Sequence, residues 1–181
     1  TLDLLTGFKE ATGHDPSLTR TGSLHLAQCD ERMASFEAQL AHAGTLGIDA
    51  QIADGALIEK LAPAIRQQAI VGALYVPGDG YVDARACAQA YGRAAQDLGA
   101  EIILNTEVTD LEISNDSVSC VETSAGSIAT QCVVAAVGPW AGRIAAMAGL
   151  TLPMQPIRLQ QARTAPEPGI PAHHRVVRIP D

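Results

Sequence analysis

The chain has 181 residues, 47% of them apolar, and a formal net charge of −8 at pH 7. That composition supports a packed core and argues against disorder. The acidic balance argues against nucleic acid or an anionic membrane as partner. No apolar run approaches the roughly 18 residues a membrane-spanning helix needs, and no basic-then-apolar leader opens the chain. The chain begins at Thr1, inside a helical pattern, and reads as part of a longer protein.

Leu2, Leu5, Phe8 and Ala11 recur at helical spacing, with Gly13 as the stop. His14-Asp15-Pro16 makes a turn. Ser23 to Ala27 alternates, with Leu24 and Leu26 on one face and Ser23 and His25 on the other. That is a strand with one buried face. Asp30 is the expected cap of a helix over 31–43, closed by Gly44, with Met33, Phe36 and Leu40 inward. Residues 48–52 form a short strand, Asp54 caps a short helix ended by Pro63, and residues 69–76 form another strand.

After the turn Pro77-Gly78-Asp79-Gly80, Asp83 caps the clearest helix of the chain, which Gly99 stops. Cys87, Tyr91, Ala94 and Leu98 share its apolar face. Residues 102–104 are apolar on both faces, as in a central parallel strand. Turn signals at Ser114-Asn115-Asp116 and at 124–127 divide residues 107–131 into a three-stranded meander. Residues 133–137 then return to the buried sheet, and Gly138-Pro139-Trp140 turns at its end. A β crossover thus replaces the helix that usually joins parallel strands.

Cys29, Cys87, Cys120 and Cys132 form no C-x-x-C pair and lie in apolar-patterned segments. They read as reduced, mostly buried thiols in a cytoplasmic protein.

Several stretches, in order, carry a resemblance. Residues 72–83, GALYVPGDGYVD, resemble a stretch of the FAD-dependent amine and amino-acid oxidoreductases. That group includes sarcosine oxidase, glycine oxidase, D-amino-acid oxidase and dimethylglycine dehydrogenase. Thr21 to Ala27, Gly99 to Ile102 followed by Val108, Val133 to Ala141, and Leu152 to Arg158 are similar to further family motifs. The resemblance implies an α/β fold. In it, part of a glutathione-reductase-type FAD domain, a parallel sheet with a β-meander crossover, is interleaved with part of a mixed-sheet α+β substrate domain. Residues 1–13 would end a helix from a preceding part. Residues 78–150 would belong to the FAD domain, and 14–77 with 151–181 to the substrate domain.

By the same resemblance, Val108 would contact the adenine end of FAD through its backbone. Ala136, Gly138 and Trp140 would approach the cofactor at the strand end, where glycine permits close contact. Ala84 stands where the family usually has proline. The chain holds no G-x-G-x-x-G, so its phosphate site is missing, and this piece alone is expected to hold FAD weakly or not at all and to be inactive.

The implied activity is oxidation of the C–N bond of a small amine or amino acid (sarcosine, dimethylglycine, glycine or D-amino acid type) to an imine. Alternatives are FAD-dependent oxidation of a 2-hydroxy acid or glycerol 3-phosphate, or a non-catalytic α/β binding module. No catalytic residue is assigned. His173 and His174 are adjacent, so on a strand they face opposite ways and do not share a metal; none is expected. His25 reads as an ordinary strand histidine, Tyr75 and Tyr81 as packing residues, and Arg158, Arg163, Arg175 and Arg178 as solvated. Exposed apolar faces at 102–104 and 133–137 predict self-association into a homo-oligomer.

Overall fold

The computed structural model describes residues 2–160, 165, 168, 170 and 174–179. The first elements are α1 (Leu2–Thr12), β1 (Leu18–Arg20), β2 (Ser23–Ala27), α2 (Asp30–Thr45), β3 (Gln51–Ala53), α3 (Gly55–Leu61) and β4 (Gly72–Val76). Then come β5 (Gly80–Val82), α4 (Ala84–Asp97), β6 (Val108–Ser114), β7 (Ser117–Thr123), β8 (Gly126–Ala129), α5 (Ala141–Met147) and β9 (Val176–Arg178). The chain divides into two compact units, residues 1–100 with 164–181, and residues 101–163.

The first unit is built on a mixed sheet of order β3-β4-β2-β9. β2 pairs antiparallel with β4 and parallel with β9. Both faces of β2 are covered, not one. Leu24 and Leu26 join Ala53, Ile58 and Ala73 on one side, while Ala27 meets Phe36 and Leu74 on the other. α3 supplies Ile58 to the first cluster, and α2 supplies Phe36 to the second. Alternate residues of a strand covered on both sides enter two cores, and here the small Ala27 joins the second on the face it shares with Ser23 and His25.

The local signals set most boundaries. Asp54 accepts a hydrogen bond from Leu57 N at 2.9 Å, and Asp83 from Ala86 N at 2.8 Å, so each caps its helix as expected. α2 differs: Asp30 is its first residue, and Cys29 stands at the cap without a side-chain bond. Its end lies at Thr45, past Gly44. β4 starts at Gly72, after a single 3₁₀ turn at Gln67–Ala69. On α4 the buried residues are Ala90 and Ala94, and Phe8 of α1 stacks on Tyr91 at 4.3 Å between centroids. Leu98, expected inward, is 90% exposed.

The second unit contains the three-stranded antiparallel meander, order β6-β7-β8. Asn115 and Asp116 take left-handed φ of 52° and 58°, the geometry that a tight hairpin demands. Each strand finds its partner a few residues away, so local turns suffice to build it. The two flanking segments behave otherwise. Residues 102–104 and 133–137 were expected to be buried parallel strands, yet neither is a strand, and Leu104 and Val134 are 75% and 87% exposed. The physical reason is that a strand is a pairing rather than a propensity. Among the described residues nothing hydrogen-bonds alongside either segment as a strand.

The four cysteines are free. Cys29 and Cys132 are exposed, and Cys87 and Cys120 partly so, which corrects the expectation of mostly buried thiols. Among the described residues no helix is long and apolar enough to cross a membrane.

Candidate functional site

In the second unit, β6, the turn after residue 137 and α5 enclose a hollow of about 330 Å³. Gly138–Trp140 forms a 3₁₀ turn that leads directly into α5, an element that the sequence reading lacked. This turn carries Trp140 back towards β6, so Val108 and Trp140 line the same hollow. Val137, Ile144 and Met147 complete its apolar wall. Glu107 and Arg143 close the rim, 3.5 Å apart.

Of the four residues singled out in the sequence, Val108 and Trp140 come together here. Gly138 opens the turn between them with φ of 54°, a left-handed conformation that favours glycine. A Cβ at Gly138 would meet nothing within 4 Å, so the chain itself leaves that side open. Ala136 lies exposed on the extended segment before the turn and does not line the hollow. Glu107, Arg143, Ile144 and Met147 were missed. Only the helical pattern after Trp140 could have signalled the last three.

Apolar side chains make most of the wall of the hollow, and Trp140, 60% exposed, is among them. β6 is an edge strand, so its outer backbone groups have no strand partner among the described residues. At about 330 Å³ the space is at the small end for ligand pockets and does not take a whole dinucleotide.

A second polar cluster lies in the first unit. Ser23, 3% exposed, donates through Oγ to Asp79 Oδ2 at 2.6 Å, and His25 Nε2 lies 3.4 Å from the same Oγ. Asp79 belongs to the turn before β5, where its backbone carbonyl accepts from Gly22 N at 2.7 Å. Burial pushes the His25 imidazole below its ordinary range. Arg178 and Arg32 push in the same direction, and Asp79 opposes them. The unfolded chain therefore takes up a proton that the folded chain resists. The contribution of His25 is fully present above the ordinary histidine value, 6.5, and is lost as pH falls below it. We expect wild type to lose more stability than His25→Gln between about pH 8 and pH 5. Equal losses in urea denaturation of the two proteins would show that His25 does not carry this acid sensitivity.

Other candidates fall elsewhere. Arg175 is not solvated as expected: it is half-buried, donates from Nη1 to Leu61 O at 3.0 Å, and lies 5.9 Å from the Tyr75 ring centre. Its Nε is buried without a partner among the described residues. Arg158 and Arg178 are exposed, and Arg163 and His173 lie outside the described residues. His174 is exposed. Tyr75 packs against the first core cluster, whereas Tyr81 is 39% exposed. Glu112, Cys120 and Glu122 bring three potential metal-ligand atoms within 4.8 Å of one another on the meander. Burial raises the Cys120 thiol, and Glu122, 3.6 Å away, adds to this.

The solved L-proline dehydrogenase of P. horikoshii superposes with a TM-score of 0.76 at 28% identity, over 82% of this chain and 39% of that one. The chain belongs to the DAO family of FAD dependent oxidoreductases, whose model matches residues 1–181.

Mitochondrial sarcosine dehydrogenase of Mus musculus is 32% identical over 152 residues, 81% of this chain and 16% of its own length. Glycine oxidase of Geobacillus kaustophilus is 34% identical over 152 residues, 83% of this chain and 40% of its own. The crystal structure of that oxidase gives a TM-score of 0.69. The chain thus spans well under half of the relatives it matches.

Proposed function

We propose that the intact protein oxidises the C–N bond of a small amine or amino acid to an imine, which water then hydrolyses. Sarcosine, dimethylglycine, glycine and D-amino acids are the substrate class. Bound FAD would supply the hydride-accepting chemistry. The carrying observation is the hollow where Val108 and Trp140 meet, in a chain matched along its whole length by the FAD dependent oxidoreductase family.

In this reading the β6 backbone at Val108 would hold the adenine end of FAD, and Trp140 and the apolar wall would exclude water from the cofactor. The open backbone at Gly138, with Ala136 just before it, lets the cofactor approach closely. Residues 78–150 serve the cofactor, and 14–77 with 151–181 the substrate. The exposed segments 102–104 and 133–137 are completed by strands from elsewhere in the intact protein. The four free thiols suit a reducing compartment such as the cytoplasm. The 181-residue chain alone, with no G-x-G-x-x-G, binds FAD weakly or not at all and purifies colourless; a yellow preparation would contradict this.

Anaerobic mixing tests the activity. Sarcosine or glycine should bleach the flavin absorbance of the intact protein, while lactate and glycerol 3-phosphate should leave it unchanged. Bleaching by a hydroxy acid alone would replace the amine reading with alcohol oxidation. No bleaching by any of these substrates would favour a binding module.

A further inference from the structure

Two hydrogen bonds on the β7 side of β6 decide which way the backbone of Val108 faces. Ser124 N donates to Glu107 O at 2.9 Å, and Glu107 N donates to Ser124 Oγ at 3.1 Å. Both main-chain groups of Glu107 are thereby taken up on the β7 side. Successive residues of an extended strand turn their N–H and C=O to opposite edges. Val108 therefore stands opposite Thr123 as a non-hydrogen-bonded pair, with both its main-chain groups turned to the outer edge of β6. That edge has no strand partner among the described residues, and Val108 lines the hollow.

Little else in β6 holds this direction. Residues 101–107 form no strand, so pairing begins only at Val108. The register then shifts between Val108 and Asp110, which interrupts the ladder on the other side. The Glu107–Ser124 link is the clamp before Val108. One of its two bonds needs a side chain, since Ser124 gives Oγ where a regular ladder gives a carbonyl oxygen. The hairpin presents that oxygen: Thr123 Oγ1 accepts from Ala125 N at 3.1 Å and donates to Gly126 O, closing the turn around Ser124. Ser124 itself does not line the hollow.

We propose that Ser124 is a positioning residue for the cofactor. Its hydroxyl fixes the Glu107 N–H, and this aims the N–H and C=O of Val108 outward as an adjacent donor and acceptor. The proposal rests on the reading that Val108 holds the adenine end of FAD. Adenine offers the N1 acceptor and the 6-amino donor that such a pair needs. Hypoxanthine, with N1–H and a 6-oxo group, presents the reverse order and is opposed by it.

The test titrates FAD and its hypoxanthine analogue into the intact protein freed of flavin, followed by flavin fluorescence. Wild type should bind FAD at least about tenfold tighter than the analogue. Ser124→Ala should cut that preference by about threefold or more, since the bond that aligns Val108 is lost. Ser124→Thr keeps a hydroxyl and should restore it. Ser124 is exposed, so neither change opens a cavity in the core. Amide exchange at Glu107 should quicken in Ser124→Ala and not in Ser124→Thr; an unchanged rate in Ser124→Ala would show that the hydroxyl does not hold that N–H. Equal loss of affinity for both dinucleotides in Ser124→Ala overturns the proposal, because a merely structural role does just that. Full wild-type preference in Ser124→Ala overturns it too, and leaves adenine at Val108 standing. A wild type that binds FAD and the analogue equally removes adenine from Val108, and the reading beneath the proposal falls with it.

Discussion

Replacing Phe36 with alanine is expected to destabilise the first unit by about 3–5 kcal/mol. The ring is fully buried. It joins α2 to the sheet through Ala27 and Leu74, with Met33, Leu40 and Ile52 packed around it. The Arg32 guanidinium lies 5.1 Å from its centre, and the His25 ring meets it edge-on at 6.5 Å. Truncation removes the transfer free energy and leaves a cavity that strand backbones cannot close. Typical domains have only about 5–15 kcal/mol in total, so much of the margin would go. Phe36→Leu keeps most of the volume and should cost clearly less. Denaturant titration checks both, and a Phe36→Ala midpoint close to wild type would show that α2 is not held by this ring.

Gly80→Ala should be the next most damaging single change, at roughly 3 kcal/mol, the upper end of the usual overpacking range. Gly80 sits opposite Arg20 in the β1–β5 ribbon. A Cβ there would overlap the carbonyl oxygen of Thr19 and lie 3.0 Å from Arg20 Cα. Both are backbone atoms, so no rotamer change relieves the clash. The strands must separate, and the adjacent Asp79 would move with β5 away from Ser23. The observable consequences are a lower melting temperature and the loss of slow amide exchange at 18–20 and 80–82. Gly7→Ala is the control, since a Cβ at Gly7 meets nothing within 4 Å. A Gly80→Ala protein as stable as that control would refute the packing argument.

The mixed sheet was expected only through the resemblance, whereas the meander and the Asp54 and Asp83 caps were legible because their causes are local. Each of these last depends on a cap, a turn or an alternation within a few residues. The outward turn of Leu98 and the half-buried Arg175 depend on what packs opposite, which spacing along one segment does not reveal. The failure at 102–104 and 133–137 has the same root. Their continuous apolar character speaks for burial, but burial needs neighbours, and among the described residues none pairs with them. Family membership therefore rests on the match along residues 1–181, not on a parallel sheet. At the candidate site, Val108 and Trp140 were found through a resemblance. The Ser23–Asp79–His25 link was not, because it joins a strand to a distant turn. Asp79 between two glycines was its only trace in the sequence.

The most direct test of the flavin assignment is amide hydrogen exchange of the intact protein with and without FAD. A ring seated against the outer edge of β6 and beside Trp140 should slow exchange at 106–109 and 137–147 by about tenfold or more. If FAD binds and slows exchange elsewhere while both segments exchange as in the FAD-free protein, the hollow between Val108 and Trp140 is not part of the flavin site.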